Sequence, residues 1–276
     1  MVETNGGTNG VRTPVPRAGS RSGGKLSGTG TWVSEENEAL LTDLYQLTMA
    51  QAYWAQGLRG NAVFSLFSRR LPADRNYLLA CGLEDALRFL ETMRFTEDAA
   101  RYLAGLPWFT DEFLRWLLEL RFTGDVYAVP EGTPVFANEP IVEVVAPIAE
   151  AQLAETFVMN QVHFQTVVAS EAARVVTAAA GRTVVDFGLR RMHGADAGLK
   201  SARAFHIAGV DATSNVLAGQ VYGVAVAGTM AHSYVQAHDS ELEAFRAFLR
   251  LYPDTILLVD TYDTLRGVEK VITLAR

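Results

Sequence analysis

Thr183-Val-Val-Asp-Phe-Gly-Leu-Arg-Arg-Met-His-Gly-Ala-Asp-Ala-Gly-Leu-Lys-Ser-Ala-Arg-Ala-Phe-His-Ile207 is the stretch on which the fold turns. Its first five residues form a near-continuous apolar run, the pattern of a strand covered on both faces. A polar segment with glycines at 188 and 194 follows, and Ala197 to Ile207 then carries apolar residues at helical spacing. The order recurs downstream: a short strand at Val210 to Ala212, a helix at Ser214 to Tyr222, a strand at Ala225 to Gly228, a helix at Glu241 to Leu251, a strand at Thr255 to Asp260 and a helix at Thr264 to Ala275. Strand and helix in alternation imply a parallel sheet or a β/α barrel, because parallel neighbours need a crossover connection. In such folds ligands bind where the carboxyl ends of strands meet loops and helix N-termini. Gly188 to Gly194, Gly228 to Ser233 and Asp260 to Asp263 are therefore the segments in which to seek function.

Upstream, apolar residues three and four apart predict one long helix from about Ala149 to Ala179. Before it the pattern is α and β without regular alternation. Helices are expected at Asn37 to Trp54, Leu83 to Met93, Thr96 to Leu103 and Thr110 to Leu120, a strand at Asn61 to Ser68, and short strands with tight turns over Gly124 to Val145. The fold class is thus α/β: a mixed α+β N-terminal domain over residues 33–148, then the first part of a TIM-like β/α barrel over residues 149–276. Residues 1–32, rich in Gly, Ser and Thr, read as a disordered tail with no apolar signal-peptide core.

Composition narrows the chemistry. With 276 residues and 24 Lys+Arg against 31 Asp+Glu, the net charge is −7. Nucleic acid and anionic membranes are poor partners for such a chain, although a local basic pocket for a small anion is compatible with it. No run approaches the roughly 18 apolar residues of a membrane span. Cys81 is the single cysteine, so an internal disulfide and a cysteine-based zinc site are excluded, and a reducing, cytoplasmic setting is expected. Neither a His-Glu-x-x-His pattern nor a dinucleotide or phosphate-loop glycine signature occurs, and no protein-ligated metal is expected.

Among the strand-end segments, Arg190 and Arg191 are adjacent guanidinium groups beyond a buried strand, suited to a carboxylate or phosphate; the alternative is solvated surface charge. Gly228-Thr-Met-Ala-His-Ser233 brings the Thr229 hydroxyl and the His232 imidazole to another strand end, where a structural histidine is the bland alternative. Asp43 and Tyr45 lie near the start of the first helix, as an exposed carboxylate and a partly buried aromatic on pattern alone.

Seven blocks, in order, resemble the nicotinate phosphoribosyltransferase family: Thr42-Asp-Leu-Tyr-Gln46, Phe67-Ser-Arg-Arg-Leu-Pro72, Cys81-Gly-Leu-Glu84, Glu155-Thr-Phe-Val-Met-Asn160, Phe187-Gly-Leu-Arg-Arg191, Thr213-Ser-Asn-Val-Leu-Ala218 and Gly228-Thr-Met-Ala-His-Ser233. The resemblance runs from about Leu40 to the end. It implies formation of nicotinate mononucleotide and pyrophosphate from nicotinate and phosphoribosyl pyrophosphate, coupled to ATP hydrolysis, with Mg²⁺ accompanying phosphoribosyl pyrophosphate and ATP. By similarity His232 is the residue phosphorylated by ATP, Tyr45 and Thr229 contact nicotinate, and Arg190 lies near the nicotinate carboxylate or a substrate phosphate. A homodimer is implied as well. The family's later strand end, a further arginine and the glycine-rich phosphate loop have no counterpart before Arg276, so an incomplete barrel, exposed apolar faces and low activity of this chain alone are expected. Two rival readings stand beside it: a catalytically silent remnant or interaction module, and a relative using nicotinamide or quinolinate.

Overall fold

The computed structural model describes residues 32–275; the tail expected over residues 1–32 lies outside these except for Trp32. A 3-10 turn at Glu38–Leu40 and the helix α1 (Leu44–Ala55) replace the single helix expected over Asn37 to Trp54. The break falls at Thr42 and Asp43. The Thr42 hydroxyl donates to Gln46 Oε1 at 2.6 Å, and Asp43 is extended at the N-cap with its carboxylate turned to the Thr156 hydroxyl of the helix at Ile148–Ala179 instead of to the backbone.

Strand β1 (Asn61–Phe67) and the short β2 (Leu78–Leu79) precede three helices, α2 (Leu83–Thr92), α3 (Glu97–Ala104) and α4 (Asp111–Glu119). Thr96 and Thr110 cap α3 and α4, their hydroxyls accepting from the Ala99 and Phe113 amides at 3.2 and 3.3 Å. Strands β3 (Asp125–Ala128), β4 (Pro134–Val135) and β5 (Pro140–Pro147) complete this region. β5 is central, pairing antiparallel with β1 on one side and β3 on the other, while β2 pairs with β4.

Helix α5 (Ile148–Ala179) follows at once and packs against α1, α2, β1, β2 and β5. Its first half closes the main core, where Phe157 stacks on Phe89 at 4.0 Å between centroids and Phe113 is fully buried. Its second half replaces a missing strand partner with side chains. Ser170 Oγ accepts from the Leu79 amide at 2.8 Å, and Thr166 Oγ1 accepts from the Cys81 amide while donating to the Cys81 carbonyl, both at 3.1 Å. These buried backbone groups therefore keep partners where no strand lies alongside.

Beyond α5 the chain forms β6 (Val185–Asp186), α6 (Ala195–Ile207), β7 (Ala212–Thr213), α7 (Val216–Tyr222), α8 (His232–Gln236), α9 (Glu241–Leu251) and α10 (Thr264–Ala275). The parallel pairing expected here is present but short. β6 and β7 are parallel, and Thr213 bridges Val226 in parallel. The strand expected over Thr255 to Asp260 joins no ladder among the described residues. Side-chain packing holds it instead: Leu257, Leu258 and Val259 lie against a core of Met230, Val235, Ala244 and Phe245, and a Cβ on Gly267 of α10 would come within 2.2 Å of the Val259 carbonyl oxygen. Val226 and Ile256 present apolar side chains to solvent, at 51% and 74% exposure. Among the described residues no helix is long and apolar enough to cross a membrane.

Arg203 of α6 forms ion pairs that join the regions on either side of α5. Glu131, in the turn between β3 and β4, receives the Arg203 guanidinium of α6 on both oxygens, at 3.0 and 2.6 Å. Burial favours the protonated Glu131 carboxyl. Arg203 and the Gly82 and Leu83 amides outweigh that effect and hold its pKa below the ordinary glutamate value. A depressed folded-state pKa contributes stability that is complete above about pH 4.3, the unfolded value, and is lost as pH falls through the folded value. Glu131→Gln is expected to flatten the decline in urea stability as pH falls below about 4.3, and a decline as steep as that of the unaltered protein would refute this.

Candidate functional site

The carboxyl ends of the parallel segments are organised by one carboxylate. Asp186 ends β6, where its Oδ1 accepts from the Gly188 amide at 2.7 Å and its Oδ2 from the Thr213 hydroxyl at 2.8 Å. Thr213 Oγ1 in turn accepts from the Asn215 amide at 3.1 Å. Asn215 caps α7 through the Ala218 amide and donates to the Gly198 carbonyl in α6. Buried Thr213 and Asn215 thus tie two strand ends and two helices into one network. Within it the chain turns through Leu189–Arg191, which projects Arg190 and Arg191 to solvent. Neither guanidinium has a hydrogen-bond or ion-pair partner among the described residues, and two such groups side by side suit an anion.

At the third strand end, the Thr229 hydroxyl donates to the Ile256 carbonyl. Thr229 also lines an open cleft of about 610 Å³ with Gly228, Phe248, Tyr252 and Asp254. His232 is exposed, and its Nδ1 lies 3.2 Å from Thr261 Oγ1. With the proton on Nδ1, the ring donates to Thr261 and leaves the Nε2 lone pair without a partner among the described residues. Both expected side chains are therefore held by the segment that follows α9.

Tyr45 stands apart from these groups. About half exposed on α1, its hydroxyl donates to Glu155 Oε1 at 3.4 Å and accepts from Gln46 Nε2 at 3.3 Å. Glu155 is itself held by Gln152 at 2.8 Å, and Thr156 donates to Asp43 at 3.2 Å. Among the described residues no hydrogen bond joins Tyr45 to Arg190, Thr229 or His232. The structure places Thr229 and His232 on the segment after Val226, Arg190 after β6 with β7 lying between the two, and Tyr45 on α1 against α5.

Several residues that organise the site were not singled out individually. The signal for Asp186 was an acid closing an apolar run before glycine, and for Asn215 its place as a helix cap. Glu155 and Thr261 had no individual signal, since their contacts cross 110 and 29 residues of sequence. Cys81 is buried against α5; burial, then the Glu131 charge, push its thiol up to about 12, so it stays protonated and is a weak nucleophile. Among the described residues no group of three or more His, Cys, Asp or Glu side chains stands close enough to hold a metal ion.

Fold and site together define a class: an α/β protein whose parallel strand ends carry exposed cationic and hydroxyl side chains. Within that class the chain has close relatives. Residues 40–163 match the nicotinate phosphoribosyltransferase N-terminal domain. Over 238 residues the chain is 63% identical to a nicotinate phosphoribosyltransferase of Mycobacterium tuberculosis, covering 86% of this chain and 51% of that protein. It is 45% identical over 244 residues to the Bacillus subtilis nicotinate phosphoribosyltransferase, covering 88% and 50%. The crystal structure of human nicotinic acid phosphoribosyltransferase superposes with a TM-score of 0.78 at 34% identity, covering 85% of this chain and 57% of that one. The chain belongs to the nicotinate phosphoribosyltransferase family. It spans about half the length of the curated relatives it matches.

Asp186→Ala removes an acceptor for two donors at once. Charged hydrogen bonds of this kind contribute roughly 1.5–3 kcal/mol, so a comparable loss of unfolding free energy in urea is expected; a loss below about 0.5 kcal/mol would show that the network does not hold the strand ends.

Proposed function

We propose that this chain takes part in nicotinate phosphoribosyl transfer, forming nicotinate mononucleotide and pyrophosphate from nicotinate and phosphoribosyl pyrophosphate, with ATP hydrolysis coupled to it. The observation that carries the reading is His232 in a chain of this family: an exposed imidazole whose Nδ1 is held by Thr261 and whose Nε2 is open to a phosphoryl group. In the coupled step the Nε2 lone pair attacks the γ-phosphorus of ATP, the bond to the bridging oxygen breaks and ADP leaves. The new phosphohistidine adds negative charge and acceptor oxygens beside the strand ends, a local change able to order loops and alter substrate affinity.

In the transfer itself the pyridine nitrogen of nicotinate forms a bond to the anomeric carbon of phosphoribosyl pyrophosphate as the bond to pyrophosphate breaks. Arg190 is assigned to the nicotinate carboxylate or a substrate phosphate, and Tyr45 and Thr229 to the pyridine ring. These are orienting roles, and orientation is a large part of what such a substitution requires. Mg²⁺ accompanying phosphoribosyl pyrophosphate and ATP would supply neutralising charge to their phosphates. Residues 149–276 are read as the first part of a TIM-like β/α barrel, supported by the parallel register of β6, β7 and Val226. A homodimer in the cytoplasm, where Cys81 stays reduced, completes the reading.

The test incubates the purified chain, beside one extended to the relatives' length, with nicotinate, phosphoribosyl pyrophosphate, Mg²⁺ and ATP, and follows nicotinate mononucleotide. Product from either supports the proposal. Product only from nicotinamide or quinolinate would reassign the substrate. No product, and no rise in thermal stability with nicotinate or phosphoribosyl pyrophosphate, would favour a catalytically silent interaction module. His232→Ala is expected to abolish acid-labile labelling from γ-labelled ATP in the active form. Arg190→Ala is expected to weaken nicotinate or phosphate binding by roughly 1.5–3 kcal/mol in titration calorimetry.

A further inference from the structure

We propose that Glu131 and Arg203 are positioning residues for the arginine-bearing loop, locking α6 to the N-terminal region so that the Arg190–Arg191 turn keeps a fixed register with α1 and Tyr45. The proposal rests on the function proposed above only in assigning that loop to an anionic substrate.

The Glu131 carboxylate is the meeting point of three elements. Its Oε1 accepts from the Gly82 and Leu83 amides at 2.6 and 2.9 Å, capping α2 from outside. Gly82 cannot supply that cap itself: its φ is +95°, and a Cβ there would lie 2.4 Å from the Gln161 carbonyl oxygen of α5. The same carboxylate receives both terminal nitrogens of Arg203, and one of these also reaches Glu84 Oε2. The Arg203 and Glu131 side chains are only 13% and 17% exposed, so water screens the pair weakly. A planar guanidinium gripped on both nitrogens fixes an angle as well as a distance. Lys200 of α6 adds a single contact to Gln161 of α5 at 2.5 Å, which constrains distance alone.

Movement of α6 must reach the loop. A Cβ on Gly198 would lie 2.6 Å from Leu189 Cδ1, so the first turns of α6 touch the turn that carries Arg190. The Gly198 carbonyl also receives Asn215 Nδ2 at 3.2 Å, which ties the β7 strand end to the same helix. On the other side of the lock, α2 and α1 both pack on α5. A path of direct contacts therefore runs from Tyr45 through α5 and the Glu131–Arg203 pair to Arg190. α6 also packs directly on α5 through Ala204 against Ala169 and Ala173, so a cation at residue 203 that offers one contact in place of two leaves α6 seated on α5 but without the angular constraint of the fork.

The test measures amide hydrogen exchange in the full chain without ligand. The reporters are the Gly188, Arg191, Met192 and Gly198 amides, each hydrogen-bonded within or beside the loop. Arg203→Lys and Glu131→Gln are compared with Lys270→Met, which breaks a different ion pair, Lys270 to Glu241 at 2.8 Å, in α9 and α10. Exchange at the reporters is expected to rise about tenfold in the first two variants and to stay unchanged in the third, at matched loss of thermal stability. Equal reporter exchange in all three overturns the proposal. Nicotinate titration gives the second readout: affinity about tenfold weaker in Arg203→Lys, weaker still in Arg203→Met, and unaltered in Lys270→Met. Unaltered affinity in Arg203→Lys overturns the link to the ligand. An unaltered chain that binds neither nicotinate nor phosphoribosyl pyrophosphate defeats the proposed function, while the exchange result still decides the positioning role.

Discussion

A helix of 32 residues that carries buried side chains along most of its length must be covered on several sides, and α5 is that helix. Ala149, Ala154 and Phe157 face the antiparallel sheet and α2, while Ala169 and Ala173 face the second region with Leu79 and Ala204. Alanine at these positions removes the bulk that would hold neighbours apart, and α6 approaches closely as a result. The N-terminal sheet and the strand-end network are therefore placed by one rigid rod. Removing water from that much apolar surface is the main stabilising term for both regions.

The polar groups on α5 show how such a helix avoids the cost of burying unsatisfied donors and acceptors. Glu150 accepts from Thr123, Gln165 donates to Asp85 at 2.6 Å, and Thr166 and Ser170 complete the backbone of β2 and Cys81. Each would destabilise the core if left without a partner. Paired, each specifies register: the helix cannot slide by a turn without breaking several of these contacts at once. The two regions also differ in depth. The N-terminal core is a thick cluster built on aromatic residues, whereas the segment from α8 to α10 rests on a small one and leaves Leu265 and Ile256 largely exposed.

The strand ends are rigid for a different reason. β6 and β7 each contribute two residues to their ladder, too few to fix a loop by backbone pairing alone. Asp186, Thr213 and Asn215 supply the missing constraint with side-chain hydrogen bonds. Arg190 and Arg191 project from this braced turn and make no hydrogen bond or ion pair of their own among the described residues.

The sequence by itself determined the α/β class, the long helix, most of the shorter helices and the segments that carry Arg190, Thr229 and His232, because apolar period and helix caps are local physics. The family was legible as a resemblance carried by seven short blocks in order. Only the tertiary structure decided which extended segments pair: Val185–Asp186 and Ala212–Thr213 find strand partners, whereas Thr255 to Asp260, equally apolar, is held by side-chain packing and the Thr229 hydroxyl. It also decided the break at Asp43, the joining of Glu131 to Arg203 across 72 residues and of Tyr45 to Glu155 across 110. Pairing and ion-pair choice are set by neighbours distant in sequence, and no local pattern encodes them.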